Sequence, residues 1–122
     1  MKDRVAIVSG AASGIGAATA ELLAAKGGVI ALTKGMALGF AEDGIPVNCV
    51  CPGTVDTGWV RGVVAQLFPD FDTAEKAFLT RQRLGRIAQP IDIAHAVEFL
   101  VSDGARFVTG SAFVVDGGMI LV

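Results

Sequence analysis

The chain has 122 residues, 52% hydrophobic and 18% charged, with a mean hydropathy of +0.61, which is too apolar for disorder and long enough for one small domain. A folded monomer of 12.5 kDa still exposes about 6,200 Å² by size scaling, so this composition predicts burial against another copy. A net charge of -2 and a pI near 5.2 argue against nucleic acid or an anionic membrane as partner, because ten scattered Lys and Arg residues make no basic surface.

The opening Met1-Lys2-Asp3-Arg4 is followed by a short apolar run interrupted by Gly10, Gly14 and Gly16, which predicts a mature cytoplasmic protein rather than a signal peptide. Val5 to Val8 is continuous and β-branched, as in a strand buried on both faces of a parallel sheet. From Gly14 onward Ile15, Ala18, Leu22, Ala25, Val29, Leu32, Met36 and Phe40 keep helical spacing until Asp43-Gly44. Val47 to Cys51 is a second strand closed by Pro52-Gly53. Thr54 to Gln89 reads as short helices forming a mobile lid, with Trp59, Phe68, Phe71 and Phe78 packed within it or lining an apolar cleft. Ile91 to Ser102 is an amphipathic helix introduced by Pro90, its buried stripe expected at Ile93, Ala94, Val97 and Leu100 with His95 facing solvent. Ser111 to Val115 is a third strand, turned at Asp116-Gly117-Gly118. The charges at Glu21, Lys26 and Lys34 break any membrane-spanning run. Cys49 and Cys51, two apart on a strand, cannot bridge comfortably, and with a lone His95 they make no zinc site.

Ser9-Gly10-Ala11-Ala12-Ser13-Gly14-Ile15-Gly16 lies between a strand and a helix, where a dinucleotide pyrophosphate can meet unpaired N–H groups. Gly10 would allow the tight turn, Gly14 the approach of phosphate to backbone and Gly16 the packing of helix on strand; the plain alternative is that the glycines only turn the chain.

This turn resembles the Thr-Gly-x-x-x-Gly-x-Gly cofactor turn of the short-chain dehydrogenases/reductases. Val29-Ile30-Ala31-Leu32-Thr33-Lys34 through Asn48 to Thr57 resembles that family's sixth strand and its Pro-Gly-x-Val-x-Thr turn. Leu84-Gly85-Arg86, Pro90, Ile93-Ala94, Phe99-Leu100, Ser102-Asp103, Thr109-Gly110 and Val115-Asp116-Gly117-Gly118 resemble its carboxyl-terminal signature. The resemblance implies NAD or NADP as cofactor, touched by Gly10, Ser13, Gly14, Ile15 and Gly16 at the phosphates and by Pro52, Gly53, Val55 and Thr57 at the nicotinamide end.

The same resemblance shows what is missing. Leu22 to Gly27, like the end of the family's first helix, runs straight into Gly28 to Leu32, like the interior of the helix before strand six. The second to fifth strands have no counterpart, nor do the reader of the adenosine ribose and the catalytic Ser and Tyr. The chain contains no tyrosine; Lys26 matches the family lysine, but Leu22 stands four residues earlier where the tyrosine belongs, and leucine carries no proton. Lys26 also falls about 18 Å along the helix from the turn at 1.5 Å per residue.

The expectation is a reduced α/β Rossmann-like three-layer unit with a parallel sheet, of oxidoreductase ancestry, inactive in hydride chemistry and at most weakly binding NAD or NADP. The alternatives are a non-catalytic oligomeric module and a hydrolase that recruited Ser13. One helix from Gly14 to Ala41 would span about 42 Å against ~17 to 20 Å for a strand. The second strand would then start too far below the first, which predicts domain exchange in a homodimer or tetramer, with Ala31, Gly35 and Gly39 as a small-residue contact ridge.

Overall fold

The computed structural model describes residues 5–8 and 17–121, with side chains described from residue 27. Strand β2 (Val47–Pro52) lies between β1 (Val5–Val8) and β3 (Ala112–Val115) in a parallel sheet of order β1-β2-β3. Val5 stands opposite Val47 and Val8 opposite Val50; Cys49 stands opposite Ala112 and Pro52 opposite Val115. The continuous apolar run of β2 is explained by its place: Val47, Cys49 and Val50 are at most 1% exposed.

Two helices sandwich this strand. On one face Val50 packs with Ala96 and Leu100 of α4 (Pro90–Val101), together with Phe113 and Val115 of β3. Alternation puts Val47 and Cys49 on the other face, where α1 (Ala17–Gly39) packs against β2 and buries Thr33 and Ala37. The buried stripe of α4 runs through Ile93, Ala96, Val97 and Leu100; Ala94, expected in it, is exposed, because a spacing of three and four residues from Ile93 selects Ala96 and Val97 instead. His95 is exposed.

A buried asparagine sets the neighbouring strand. The Asn48 side chain donates from Nδ2 to the Val108 carbonyl at 2.8 Å and accepts from the Ser111 amide at 3.0 Å. The Thr109 hydroxyl accepts from the Val47 amide at 3.1 Å, so the segment leading into β3 is tied to β2 on both sides. Two helices, α2 (Gly58–Leu67) and α3 (Phe71–Leu79), occupy the stretch read as a lid, burying Val64 and Ala74. Among the described residues no helix is long and apolar enough to cross a membrane.

The geometric ground for domain exchange does not hold. The helix is unbroken through Gly27-Gly28, as expected, yet β1 and β2 pair within one chain. At 1.5 Å per residue α1 is about 35 Å long and β2 about 20 Å. Part of the excess is taken up after the helix by residues 40–46, where the Ile45 amide donates to the Phe40 carbonyl at 3.2 Å and Gly44 takes φ of 69°. Seven residues can span up to ~23 Å, enough to carry the chain back to the start of β2. The ridge of Ala31, Gly35 and Gly39 faces away from the sheet and is exposed.

Gly28 lies within the helix, and a methyl group there would meet nothing within 4 Å. Replacing glycine by alanine in a helix interior gains roughly 0.5 to 1 kcal/mol. Gly28→Ala is therefore expected to raise unfolding stability by that amount in urea titrations; a loss of stability would contradict an unbroken helix.

Candidate functional site

The parallel sheet brings the carboxyl ends of its strands to one edge. Val8, the last residue of β1, stands opposite Val50, two residues before Pro52 closes β2, so the strand that leads into the glycine-rich segment ends beside the strand that leads into Pro52–Thr57. Of the residues expected to hold a dinucleotide, Gly10, Ser13, Gly14, Ile15 and Gly16 lie outside the described residues. Pro52, Gly53, Val55 and Thr57 are described and form one turn.

That turn is held on both sides. The Gly53 amide donates to the Val115 carbonyl at 3.0 Å, bringing its backbone so close to Asp116 that a Cβ would sit 2.8 Å from Asp116 Cα. Only glycine fits this crossing. Asp116 itself is buried, its carboxylate accepting from the amides of Gly118 at 2.8 Å and Ile120 at 2.9 Å. On the other side Val55 forms a parallel bridge with Ala88: the Ala88 amide donates to the Thr54 carbonyl at 3.1 Å, and its carbonyl accepts from the Asp56 amide at 2.8 Å. In a parallel bridge the bonds go to the residues flanking Val55, so its own N–H and C=O point away from Ala88. Neither is bonded among the described residues. One amide donor and one acceptor side by side fit a carboxamide. The Thr57 hydroxyl accepts from the Val60 amide at 3.3 Å as the N-cap of α2, which leaves its proton available to donate.

Two arginine–carboxylate clamps fasten the surrounding segments. Arg61 of α2 grips Asp56 with two bonds of 2.7 and 2.6 Å, and its guanidinium lies 5.2 Å over the Phe71 ring, linking the turn to both lid helices. Hydrogen bonding from Arg61, the largest effect, outweighs desolvation and, with a lesser contribution from Gln89, holds the Asp56 carboxyl below its ordinary range. Arg86 grips Asp92 at 2.6 and 2.8 Å, while the Gln89 amide donates to the same carboxylate at 2.7 Å. The Arg86 bonds, then that amide, hold Asp92 well below the usual carboxylate range. Both carboxylates stay ionised at neutral pH and act as anchors, not proton donors.

Within the lid, Phe68 and Phe78 meet edge to face with centroids 6.1 Å apart, and Trp59 is 45% exposed. The aromatics thus belong in part to lid packing. Gln82 escaped the sequence reading: it is 2% exposed, its Nε2 donates to the Thr54 carbonyl at 3.1 Å, and its Oε1 is buried with no partner among the described residues. Among the described residues no cluster of His, Cys, Asp and Glu could hold a metal ion.

An alternating α/β unit with a parallel sheet and a glycine-tight turn at its carboxyl edge is the architecture of the Rossmann-like folds. A family profile described as Enoyl-(Acyl carrier protein) reductase matches residues 23–120, and the chain belongs to the short-chain dehydrogenase/reductase family. It is 47% identical over 96 residues to Dehydrogenase/reductase SDR family member 6 of Aquarana catesbeiana, a match covering 79% of this chain and 39% of the relative. An oxidoreductase of the family from Burkholderia thailandensis superposes with a TM-score of 0.81 at 34% identity, covering 98% of this chain and 45% of that one. A 4-hydroxyisoleucine dehydrogenase complexed with NADH and succinate superposes with a TM-score of 0.70 at 36% identity, over 84% of this chain and 39% of that one. The chain thus spans about two fifths of the length of the curated relatives it matches.

The crossing at Gly53 is the part of the site most sensitive to volume. Gly53→Ala is expected to lower unfolding stability by about 1 to 3 kcal/mol, the usual penalty for forcing a methyl group into a filled contact. Denaturant titration checks this; unchanged stability would mean that the turn stands clear of Asp116.

Proposed function

We propose that the chain is a dinucleotide-binding unit of oxidoreductase ancestry that holds NAD or NADP weakly and performs no hydride transfer by itself. The observation that carries this reading is the Val8–Val50 register, which sets the end of β1 beside the turn where the Val55 peptide and the Thr57 hydroxyl have hydrogen-bonding capacity to spare. The NADH in the related 4-hydroxyisoleucine dehydrogenase supports the choice of ligand class. Pro52, Gly53, Val55 and Thr57 would hold the nicotinamide carboxamide, and Gly10, Ser13, Gly14, Ile15 and Gly16 the pyrophosphate. When bound, the dinucleotide supplies a hydride donor or acceptor; the protein must supply the proton.

That proton is where the chain falls short. The sequence has no tyrosine, Leu22 stands four residues before Lys26, and the described carboxylates around the turn are engaged, Asp56 and Asp92 by arginines and Asp116 by the Gly118 and Ile120 amides. Losing a positioned acid/base forfeits ~10²- to 10⁴-fold in rate. In this reading the protein is truncated relative to its family by an internal join at Gly27-Gly28, and it works in the cytoplasm.

Titration calorimetry with NAD and NADP, alongside a carbonyl-reduction assay, tests the proposal. Binding in the micromolar to millimolar range is expected, with less than roughly tenfold preference between the two, because the ribose reader after strand two is absent. Turnover at about 1 per second or faster would overturn the catalytic half of the reading. Absence of binding at millimolar dinucleotide would overturn the other half and favour a purely structural module.

A further inference from the structure

One buried side chain connects the lid to the Pro52–Thr57 turn. Gln82 stands just beyond the end of α3, and its backbone is pinned on both sides. Its amide donates to the Phe78 carbonyl at 3.2 Å, its carbonyl accepts from the Gly85 amide at 3.1 Å, and the Leu84 amide donates to the Gly117 carbonyl at 3.0 Å. From this fixed point the side chain, 2% exposed, reaches Thr54, where Nε2 donates to the carbonyl at 3.1 Å.

That carbonyl already accepts from the Ala88 amide at 3.1 Å, so both of its lone pairs are engaged. Two donors fix the plane of the Thr54–Val55 peptide where a single one would let it tilt. The consequence falls on Val55. A trans peptide is planar with its C=O and N–H on opposite sides, so a Thr54 carbonyl held by Ala88 and Gln82 keeps the Val55 N–H pointing away from both. Polarising the carbonyl also strengthens the N–H of the same peptide as a donor. The Val55 carbonyl needs no such support, because the Asp56 amide of its own peptide is bonded to Ala88 at 2.8 Å.

Stability alone gives Gln82 little reason to be polar. Its Oε1 is buried with no partner among the described residues, and Thr54 would keep the Ala88 bond without it. A buried acceptor left unpaired offsets what the Nε2 bond contributes. Methionine has nearly the same length and shape as glutamine and carries neither amide atom, so the exchange removes the bond and the unpaired acceptor together.

Resting on the assignment of the Val55 peptide to the nicotinamide carboxamide, we propose that Gln82 is a positioning residue. Through the Thr54 carbonyl it aims the Val55 N–H at the carboxamide oxygen, and so sets the preference of the site for the nicotinamide end of the ligand. It touches no ligand itself.

The test compares NAD with ADP-ribose, which has the same adenosine, diphosphate and second ribose but no nicotinamide. NMR titrations of the full chain follow both ligands in wild type, Gln82→Met and Gln82→Leu. Wild type is expected to bind NAD more tightly, with the Val55 amide signal shifting on NAD and not on ADP-ribose. Both variants should stay folded by circular dichroism and lose roughly three- to tenfold in NAD affinity, the range of one hydrogen bond, with ADP-ribose affinity unchanged. Equal losses for the two ligands would mark Gln82 as merely structural and overturn the proposal, as would an unchanged NAD affinity. If neither variant folds, the wild-type Nε2 proton signals of Gln82 decide. They are expected to move on NAD and not on ADP-ribose; the same movement with both ligands, or none with either, would overturn the proposal. A wild type that binds neither ligand would overturn the dinucleotide reading itself, and the role of Gln82 with it.

Discussion

Everything in this fold depends on β2 being covered from every side. Its backbone is paired with β1 and β3, its alternate side chains are buried under α1 and α4, and Asn48 within it fixes the entry to β3. Parallel pairing imposes the rest, because a parallel neighbour can be reached only through a crossover longer than a hairpin. The chain makes that crossover with a single unbroken helix between β1 and β2, and with the two lid helices and α4 between β2 and β3.

The site follows from the same constraint. Parallel strands end together, so the segments that leave β1, β2 and β3 all emerge at one edge, where open α/β sheets bind ligands. The glycine at position 53 lets the β2 turn cross the β3 turn at van der Waals distance, and the parallel bridge between Val55 and Ala88 aims the Val55 peptide outward. The Arg61–Asp56 and Arg86–Asp92 clamps then hold the lid and α4 around the turn. Both pairs are solvent-exposed on the arginine side, so their role is to set geometry more than to add stability.

Strand β2 was legible because burial on both faces leaves an unbroken apolar run, and α1 because its spacing persists even across Gly27-Gly28. The expectation of domain exchange rested on comparing helix length with strand length, and that comparison left out what residues 40–46 can span. The misassigned Ala94 came from two alanines flanking His95, which composition does not separate and the phase set from Ile93 does. The turn residues Pro52 to Thr57 were visible through family resemblance, whereas the clamps were not. Arg86 and Asp92 are six apart across a helix cap, a separation that no helical or strand periodicity marks. Gln82, between Arg81 and Arg83, reads as surface; only the folded chain buries it against the Thr54 carbonyl.

The central claim is that β1 and β2 pair within one chain, which sets the end of β1 beside the strand that leads into the Pro52–Thr57 turn. An isotope-filtered NOE experiment on a mixture of labelled and unlabelled protein tests it most directly, because it separates contacts within a chain from contacts between chains. Contacts between Ile7 and Cys49 and between Val8 and Val50 are expected in the intrachain spectrum and absent from the interchain one. Their appearance only between chains would contradict the account and restore exchange of strands around the long helix.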